Sequence, residues 1–204
     1  MSAPHRLGIL LSGRGSNFLA IADSVAAGRI PNTEIAVVIS NKADAPSLAA
    51  ARERGLTALA IEANGRKRAE HDAAIVAALN EHRVELICLA GYMRLLSPGF
   101  IQAFPQRILN IHPSLLPAFP GLDAQQQAFD YGVKVAGCTV HFVDEQLDHG
   151  VIILQRTVPV HETDDAHALS ARILAEEHIA YTDAIARVLS GDYIVEGRRY
   201  IRKQ

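Results

Sequence analysis

Residues 7–17 read Leu7-Gly8-Ile9-Leu10-Leu11-Ser12-Gly13-Arg14-Gly15-Ser16-Asn17, a short apolar run followed by a turn of small and polar residues. Apolar side chains then recur at helical spacing, at Phe18, Ile21, Ala22 and Val25. This order predicts a strand, a glycine turn and a helix, with Ser16 or Asn17 able to cap the helix. Backbone amides at a helix start, with glycines that let the chain curl, make a cradle for a phosphate. A purely structural turn is the alternative at this point.

The residues around the turn indicate which phosphate it would hold. A dinucleotide-binding fingerprint places a third small residue where Phe18 stands. It also places an acid near the end of the second strand, where this chain has Ser40-Asn41-Lys42. The turn therefore fits a phosphate monoester better than a dinucleotide.

Strands and helices alternate along the first half of the chain. Strands are predicted at 35–39, 58–61 and 86–89, and helices at 46–54, through 75–79 and at 98–104. In the second half, Asp123 can cap a helix through 128–129, strands at 135–143 and 151–160 form a hairpin, and a helix begins near residue 165. The residues 193–201 read as a small hairpin. The predicted fold is α/β, with a Rossmann-like, mostly parallel sheet, helices on both faces, a C-terminal antiparallel strand pair and a long C-terminal helix.

The length of 204 residues and the absence of a linker or repeat predict a single domain over 1–204. Within it, residues of about 1–100 are expected to form a phosphate-binding half, and residues of about 101–204 a catalytic and folate-binding half. The expectation of folate binding follows from the family resemblance described below.

The run Ile108-Leu109-Asn110-Ile111-His112, ended by Pro113, places an amide and an imidazole two residues apart. On a strand both side chains leave the same face, near the C-terminal end where open α/β sheets carry their chemistry. Glu177 lies inside the apolar stripe of the last helix, where a carboxylate needs a partner or a ligand. For each of these groups a structural role stays open beside the functional one.

Composition and charge exclude several classes of function. The net charge of −2 gives no general attraction for nucleic acid, and the basic clusters at 66–68 and 198–199 read as solvated surface. No apolar run reaches the roughly 18 residues of a membrane span, so we expect a cytoplasmic protein. Cys88 and Cys138 are expected to be reduced and buried, and no histidine spacing predicts a metal site.

Several segments together resemble one known family. They are Ser12-Gly13-Arg14-Gly15-Ser16-Asn17, Asn41-Lys42-Ala43-Asp44, Leu89-Ala90-Gly91-Tyr92-Met93-Arg94, Asn110-Ile111-His112-Pro113-Ser114-Leu115-Leu116-Pro117, and Thr139-Val140-His141-Phe142-Val143 with Leu147-Asp148-His149-Gly150 after it. Their order and spacing, over nearly the whole chain, are similar to those of the 10-formyltetrahydrofolate-dependent formyltransferases. The Asn-x-His pair and the downstream Asp are shared across that family. The N-terminal glycine turn resembles its phosphoribosylglycinamide formyltransferase branch.

The resemblance implies transfer of a formyl group from 10-formyltetrahydrofolate to the amine of glycinamide ribonucleotide, a step of purine biosynthesis. Asn110, His112 and Asp148 match the family's catalytic residues. Asn110 and a protonated His112 can stabilise the developing oxyanion, and Asp148 favours the imidazolium form. No metal is required.

The same resemblance implies the binding residues. Those expected to hold the ribonucleotide are Gly13, Gly15, Ser16, Asn17 and Glu177. Those expected to line the folate pocket are Arg68, Met93, Arg94, Leu95, Leu96, Asn110, Asp144, Glu145, Gln146, Leu147 and Asp148. The expected partners are these two small molecules, without nucleic acid or membrane, for a monomer or weak homodimer.

Two positions depart from the family's pattern. Some members have histidine at Asp123, so that position receives no essential role, and many have proline where this chain has Val151. The nearest alternatives are another folate-dependent formyltransferase and a formyltetrahydrofolate hydrolase, each expected to carry an extra domain for which 204 residues leave no room. A non-catalytic phosphosugar-binding module is the alternative from a different class.

Overall fold

The computed structural model describes residues 3–204. The strands are β1 (His5–Leu11), β2 (Thr33–Ser40), β3 (Ala58–Ala60), β4 (Leu86–Leu89), β5 (Ile108–His112), β6 (Val135–Phe142), β7 (Ile152–Pro159), β8 (Tyr193–Glu196) and β9 (Arg199–Arg202). The helices are α1 (Ser16–Ala26), α2 (Pro46–Glu53), α3 (Arg68–Glu81), α4 (Pro98–Ala103), α5 (Ala124–Tyr131) and α6 (Ala166–Leu189). Seven strands hydrogen-bond in the order β3-β2-β1-β4-β5-β6-β7, and β8 pairs with β9 in a separate sheet.

The chain divides into two compact units, one ending at Leu109 and the other starting at Asn110. In the first unit β1 pairs in parallel with both β2 and β4, and β2 pairs in parallel with β3. All four residues of β4 are buried, as is typical of a parallel strand covered on both faces. The continuous apolar runs of these strands therefore supply the core of this unit.

In the second unit β6 and β7 form an antiparallel pair, with Val135 opposite Pro159. The long helix α6 packs on both strands and buries an apolar stripe that includes Leu169, Ile173 and Ala184. The Asp165 carboxylate accepts a hydrogen bond from the backbone amide of Ala168, which caps this helix at its start.

These observations confirm the predicted α/β fold with a mostly parallel sheet, a C-terminal antiparallel strand pair and a long C-terminal helix. The observed element ends lie within two residues of the predicted ones, and the largest differences are at β1 and β2, which begin two residues earlier than predicted. Among residues 3–204 no helix combines the length and the apolar content that crossing a bilayer requires.

Two predicted helix caps are wrong. The N-cap residue of α1 is Gly15, which has no side chain, so neither Ser16 nor Asn17 is the cap residue. Asp123 does precede α5, but its backbone has φ 54° and its side chain makes no capping hydrogen bond. Side-chain capping needs an extended backbone at the cap residue, and both turns instead enter their helices through the left-handed region.

Candidate active site

Asn110 and His112 lie on β5 and belong to the second unit, which brings two further polar side chains to them. His141 comes from β6, and Asp148 comes from the loop that joins β6 to β7. The side chains of His112, His141 and Asp148 are each less than one tenth exposed. Ionisable groups this deeply buried need partners, and these residues face one another. The predicted catalytic residues therefore form one cluster, with His141 added.

His112 has both ring nitrogens engaged. Its Nε2 lies 2.8 Å from the carbonyl oxygen of Phe119, which can only accept, so this nitrogen carries a proton. Its Nδ1 lies 3.4 Å from Oδ2 of Asp148. Any proton that His112 gains or loses in a reaction therefore moves at Nδ1, on the side of the carboxylate.

His141 orients the side-chain amide of Asn110. The Nδ1 of His141 lies 2.8 Å from the carbonyl oxygen of Phe142, and its Nε2 lies 3.2 Å from Nδ2 of Asn110. The neutral Nδ1–H tautomer satisfies both contacts, since Nε2 then accepts from the amide. Burial lowers the pKa of His141, which favours this neutral form. One N–H of Asn110 is thereby fixed, and the second can donate to a bound ligand.

Asp148 is held by the turn that also holds His112. Its Oδ2 accepts a hydrogen bond of 2.8 Å from the backbone amide of Gly121, two residues after the carbonyl that His112 contacts. The backbone of Asp148 has φ 50°, a conformation that a residue with a side chain keeps only when its surroundings hold it there. The chain close to Asp148 is constrained as well, because a Cβ on Gly150 would lie 1.8 Å from the carbonyl oxygen of Phe142.

The segment after β5 is fixed by a buried threonine on β6. The hydroxyl of Thr139 donates to the carbonyl of Ser114 and accepts from the backbone amide of Leu116. Gln155 of β7 also donates to that hydroxyl and to the carbonyl of Leu116. The hydroxyl of Ser114 donates to the carbonyl of Ala118 and so serves the turn rather than acting as a nucleophile.

The predicted phosphate turn lies in the first unit, at the start of α1. Gly15 has φ 71°, and a Cβ there would lie 2.8 Å from Cβ of Ser47, so both the conformation and the space require glycine. The hydroxyl of Ser47 donates to the carbonyl of Gly13 at 2.7 Å. The amides at the start of the helix are left without a side-chain cap, which suits an anionic ligand.

The strand ends next to this turn are joined by Ser12. Its hydroxyl donates to Oδ1 of Asn41 at 2.6 Å and accepts from the backbone amide of Met93 at 2.8 Å. At the far end of the loop after β4, the buried carboxylate of Asp72 accepts from the backbone amide of Ser97 at 2.6 Å. The loop that carries four of the predicted folate residues is thus fixed at both ends.

The remaining predicted residues lie as follows. Met93 and Leu95 are exposed, Arg94 and Leu96 are half-buried, and Arg68 is exposed at the start of α3. Asn17 and Glu177 are buried on α1 and α6, respectively. In the loop after β6, the Asp144 side chain accepts from the backbone amide of Gln146, and Glu145, Gln146 and Leu147 are exposed.

Two further predictions from the sequence concern the cysteines and a metal site. Cys88 and Cys138 are buried, as predicted. Burial, with Glu177 nearby, raises the pKa of the Cys138 thiol to about 12, so it stays protonated. Within residues 3–204 no group of three or more histidine, cysteine, aspartate or glutamate side chains is arranged to hold a metal ion.

Three residues that hydrogen-bond to these segments were not predicted from the sequence as site residues: His141, Ser47 and Asp72. Ser47 and Asp72 act on segments more than twenty residues away, which no local pattern indicates. His141 stands two residues after Thr139 on the same strand, so strand periodicity could have pointed to it.

Comparisons with known proteins show the family to which the chain belongs. A family model described as formyl transferase matches residues 5–185. The chain is 46% identical over 189 residues to the trifunctional purine biosynthetic protein adenosine-3 of Homo sapiens, covering 91% of this chain but only 18% of that protein. It is 39% identical over 184 residues to the phosphoribosylglycinamide formyltransferase of Escherichia coli (strain K12), covering 90% and 86% of the two chains.

A solved structure is also similar. The crystal structure of glycinamide ribonucleotide transformylase 1 from Symbiobacterium toebii matches with a TM-score of 0.96 and 51% identity, covering 100% of this chain and 96% of that one.

Proposed function

The chain belongs to the formyl transferase family, and from that premise we propose that it transfers the formyl group of 10-formyltetrahydrofolate to the amine of glycinamide ribonucleotide in purine biosynthesis. The relative from Escherichia coli, of which the chain covers 86%, is named for this formyl transfer. The observation that carries the proposal is the buried cluster in which His112 and Asp148 face each other at 3.4 Å beside the oriented amide of Asn110.

The reaction needs one bond to form and one to break. The amine nitrogen of the ribonucleotide attacks the formyl carbon, and the tetrahedral intermediate collapses with loss of the folate nitrogen. The amine loses one proton and the departing nitrogen gains one, so the overall reaction balances without a redox partner. The proton transfer is general acid–base chemistry, for which a histidine next to a carboxylate is suited.

Asn110 and His112 take separate parts in this step. The second amide N–H of Asn110 donates to the oxyanion, because the first is occupied by His141. His112 as imidazolium adds positive charge beside the same oxygen, and Asp148 stabilises that charge. Because Nε2 of His112 is bonded to Phe119, the transferred proton passes through Nδ1, directly or through a water that Asp148 holds.

The residues proposed for the ribonucleotide lie at the start of α1 in the first unit and on α6 in the second. Gly13, Gly15, Ser16 and Asn17 bind its phosphate, with backbone amides at the start of α1 as the donors. Glu177 binds the ribose hydroxyls, which would explain a carboxylate buried in the apolar stripe of α6.

Most of the residues proposed for the folate lie on two loops, the one after β4 in the first unit and the one after β6 in the second. The proposed folate residues of the first unit are Arg68, Met93, Arg94, Leu95 and Leu96, and the exposure of Met93 and Leu95 leaves apolar surface for a flat ring. Those of the second unit are Asn110 and the segment from Asp144 to Asp148. We propose that the protein acts in the cytoplasm as a monomer or weak homodimer and uses no metal.

A turnover assay with both substrates tests the proposal. The formylated ribonucleotide should accumulate in step with loss of 10-formyltetrahydrofolate. A parallel assay without the ribonucleotide should release no formate above background. Release of formate at the same rate in both assays would instead make the protein a hydrolase, and ribonucleotide binding with no turnover would make it a binding module.

A further inference from the structure

The C-terminal hairpin of β8 and β9 has no part in the proposed reaction, yet it is firmly attached to the second unit. Tyr200 of β9 packs edge-on against Phe142 at the end of β6, with ring centroids 5.7 Å apart. The guanidinium of Arg187 on α6 lies 5.1 Å from the ring centroid of Tyr193. Tyr193 and Tyr200 also stack on each other at 5.2 Å. These contacts give the turn of the hairpin a rigid support.

Arg198 extends from that turn to the loop after β6. Its Nη2 donates to the carbonyl oxygen of His149 at 2.6 Å, and its Nη1 donates to Nε2 of the same residue at 3.1 Å. The planar guanidinium thus holds the main chain and the ring of one residue together, as a lysine could not. The neighbouring Arg199 donates instead to Glu196 of its own hairpin.

The ring of His149 also hydrogen-bonds to Asp144, at the start of the same loop. Its Nδ1 lies 2.8 Å from Oδ2 of Asp144, so Nδ1 donates while Nε2 accepts from Arg198. Asp144 also accepts from the backbone amide of Gln146 through its other oxygen. We refer to Asp144, His149 and Arg198 as the Arg198 clamp. It joins both ends of the loop to the hairpin.

The residue immediately before His149 is Asp148, whose backbone has φ 50°. A non-glycine residue keeps that conformation only when the surrounding structure holds it. On one side the amide of Gly121 holds the Asp148 carboxylate, and on the other the clamp holds the following residue. Loss of the clamp would let the backbone relax and would turn the carboxylate away from His112.

We propose that Arg198 is a positioning residue, which acts through His149 to keep Asp148 facing His112. The inference rests on the proposed function, since it concerns the rate of formyl transfer. The side chains of Asp144 and His149 are each 41% exposed, so the clamp contributes little to the stability of the fold. Small displacements of a catalytic group can nevertheless lower a rate severely.

The test compares R198A with R199A, an arginine-to-alanine change one position away on the same hairpin. For R198A we expect kcat to fall about tenfold, with the KM for the ribonucleotide unchanged because the proposed phosphate turn lies in the first unit. Amide hydrogen exchange of residues 143–150 should become faster in R198A. Guanidinium ion, at concentrations far below those that unfold proteins, should restore part of the lost rate. R199A should match the wild type in each measurement.

Several results would overturn the proposal. They are a wild-type kcat for R198A, an equal loss in R199A, or a loss of kcat with unchanged exchange in residues 143–150. If R198A does not fold, R198K takes its place, since a single ammonium keeps the bond to the His149 carbonyl and loses the ring contact. A wild-type chain without formyl transfer would contradict the proposed function instead, and the exchange comparison would still test the clamp.

Discussion

A single turn, from Phe119 to Gly121, orients both His112 and Asp148, the pair proposed to transfer the proton. Its first carbonyl accepts from Nε2 of His112, and its last amide donates to the Asp148 carboxylate. The two contacts direct Nδ1 of the imidazole toward the carboxylate and leave Nε2 no part in the chemistry. At this scale the function depends on which ring nitrogen is available rather than on the presence of a histidine.

Removal of the imidazole gives the first prediction. H112A should lower kcat roughly 10²- to 10⁴-fold, the range in which general acid–base catalysis contributes. Its dissociation constant for the ribonucleotide, measured by calorimetric titration, should stay within about twofold of the wild type, because the proposed phosphate turn is untouched. H167A, at an exposed histidine near the start of α6, is the matched control and should keep full activity. Full activity in H112A would refute the role of His112.

Titration of His141 gives the second prediction. Burial lowers its pKa below 6.5, so between the lowered value and 6.5 the unfolded chain binds a proton that the folded chain does not. The free energy of unfolding must then fall as the pH falls below 6.5, by up to about 1.4 kcal/mol per pH unit from this group.

The test is urea denaturation of the wild type and of H141Q above and below pH 6.5. Other groups titrate equally in both proteins, so the difference between them isolates His141. The stability advantage of the wild type over H141Q should narrow as the pH falls. A difference that is constant or widens would contradict a histidine held neutral by burial.

At the scale of elements, the proposed phosphate cradle depends on one glycine in the turn before α1. Gly15 adopts φ 71° against Cβ of Ser47, and this conformation leads directly into the first turn of the helix. The cap residue is a glycine and offers no side-chain cap, so the backbone amides of the helix start are the groups proposed to meet an anion.

Substitution of this glycine gives the third prediction. G15V should weaken ribonucleotide binding at least tenfold, because a branched side chain at positive φ would clash with Ser47 and shift the turn. R14A should weaken binding much less, since Arg14 is an exposed side chain next to a cradle of backbone amides. Calorimetric titration of both variants measures the effect. Normal affinity in G15V would rule out the cradle.

Most of the helices and strands could be predicted from the sequence, because each carries its own periodicity. The apolar run of β4 and the strand pattern of β6 are local properties, and the structure confirms both as strands. The residues of β6 are buried on both faces apart from Val135, so its alternating sequence does not correspond to one buried and one exposed face. The caps at Gly15 and Asp123 could not be predicted, because they depend on left-handed backbone that composition alone does not reveal. The hydrogen bonds between Arg198 and His149 join residues far apart in sequence, and no local pattern indicates them. The basic pair at residues 198–199 therefore predicts only a solvated surface.

At the scale of the whole chain, each of the two units has its own polar network. The first contains the proposed phosphate turn and the loop after β4, and the second contains Asn110, His112, His141 and Asp148. The family match over residues 5–185 spans both sets. The single domain expected from the chain length stays a prediction, as do the individual roles of the site residues.

The most direct test of the account is a turnover measurement on the purified chain with glycinamide ribonucleotide and 10-formyltetrahydrofolate, in the presence and absence of a metal chelator. We predict formation of formylated ribonucleotide, one for each formyl group lost from the folate, at a rate that the chelator leaves unchanged. Loss of the formyl group without a formylated ribonucleotide, or a rate abolished by the chelator, would contradict the account.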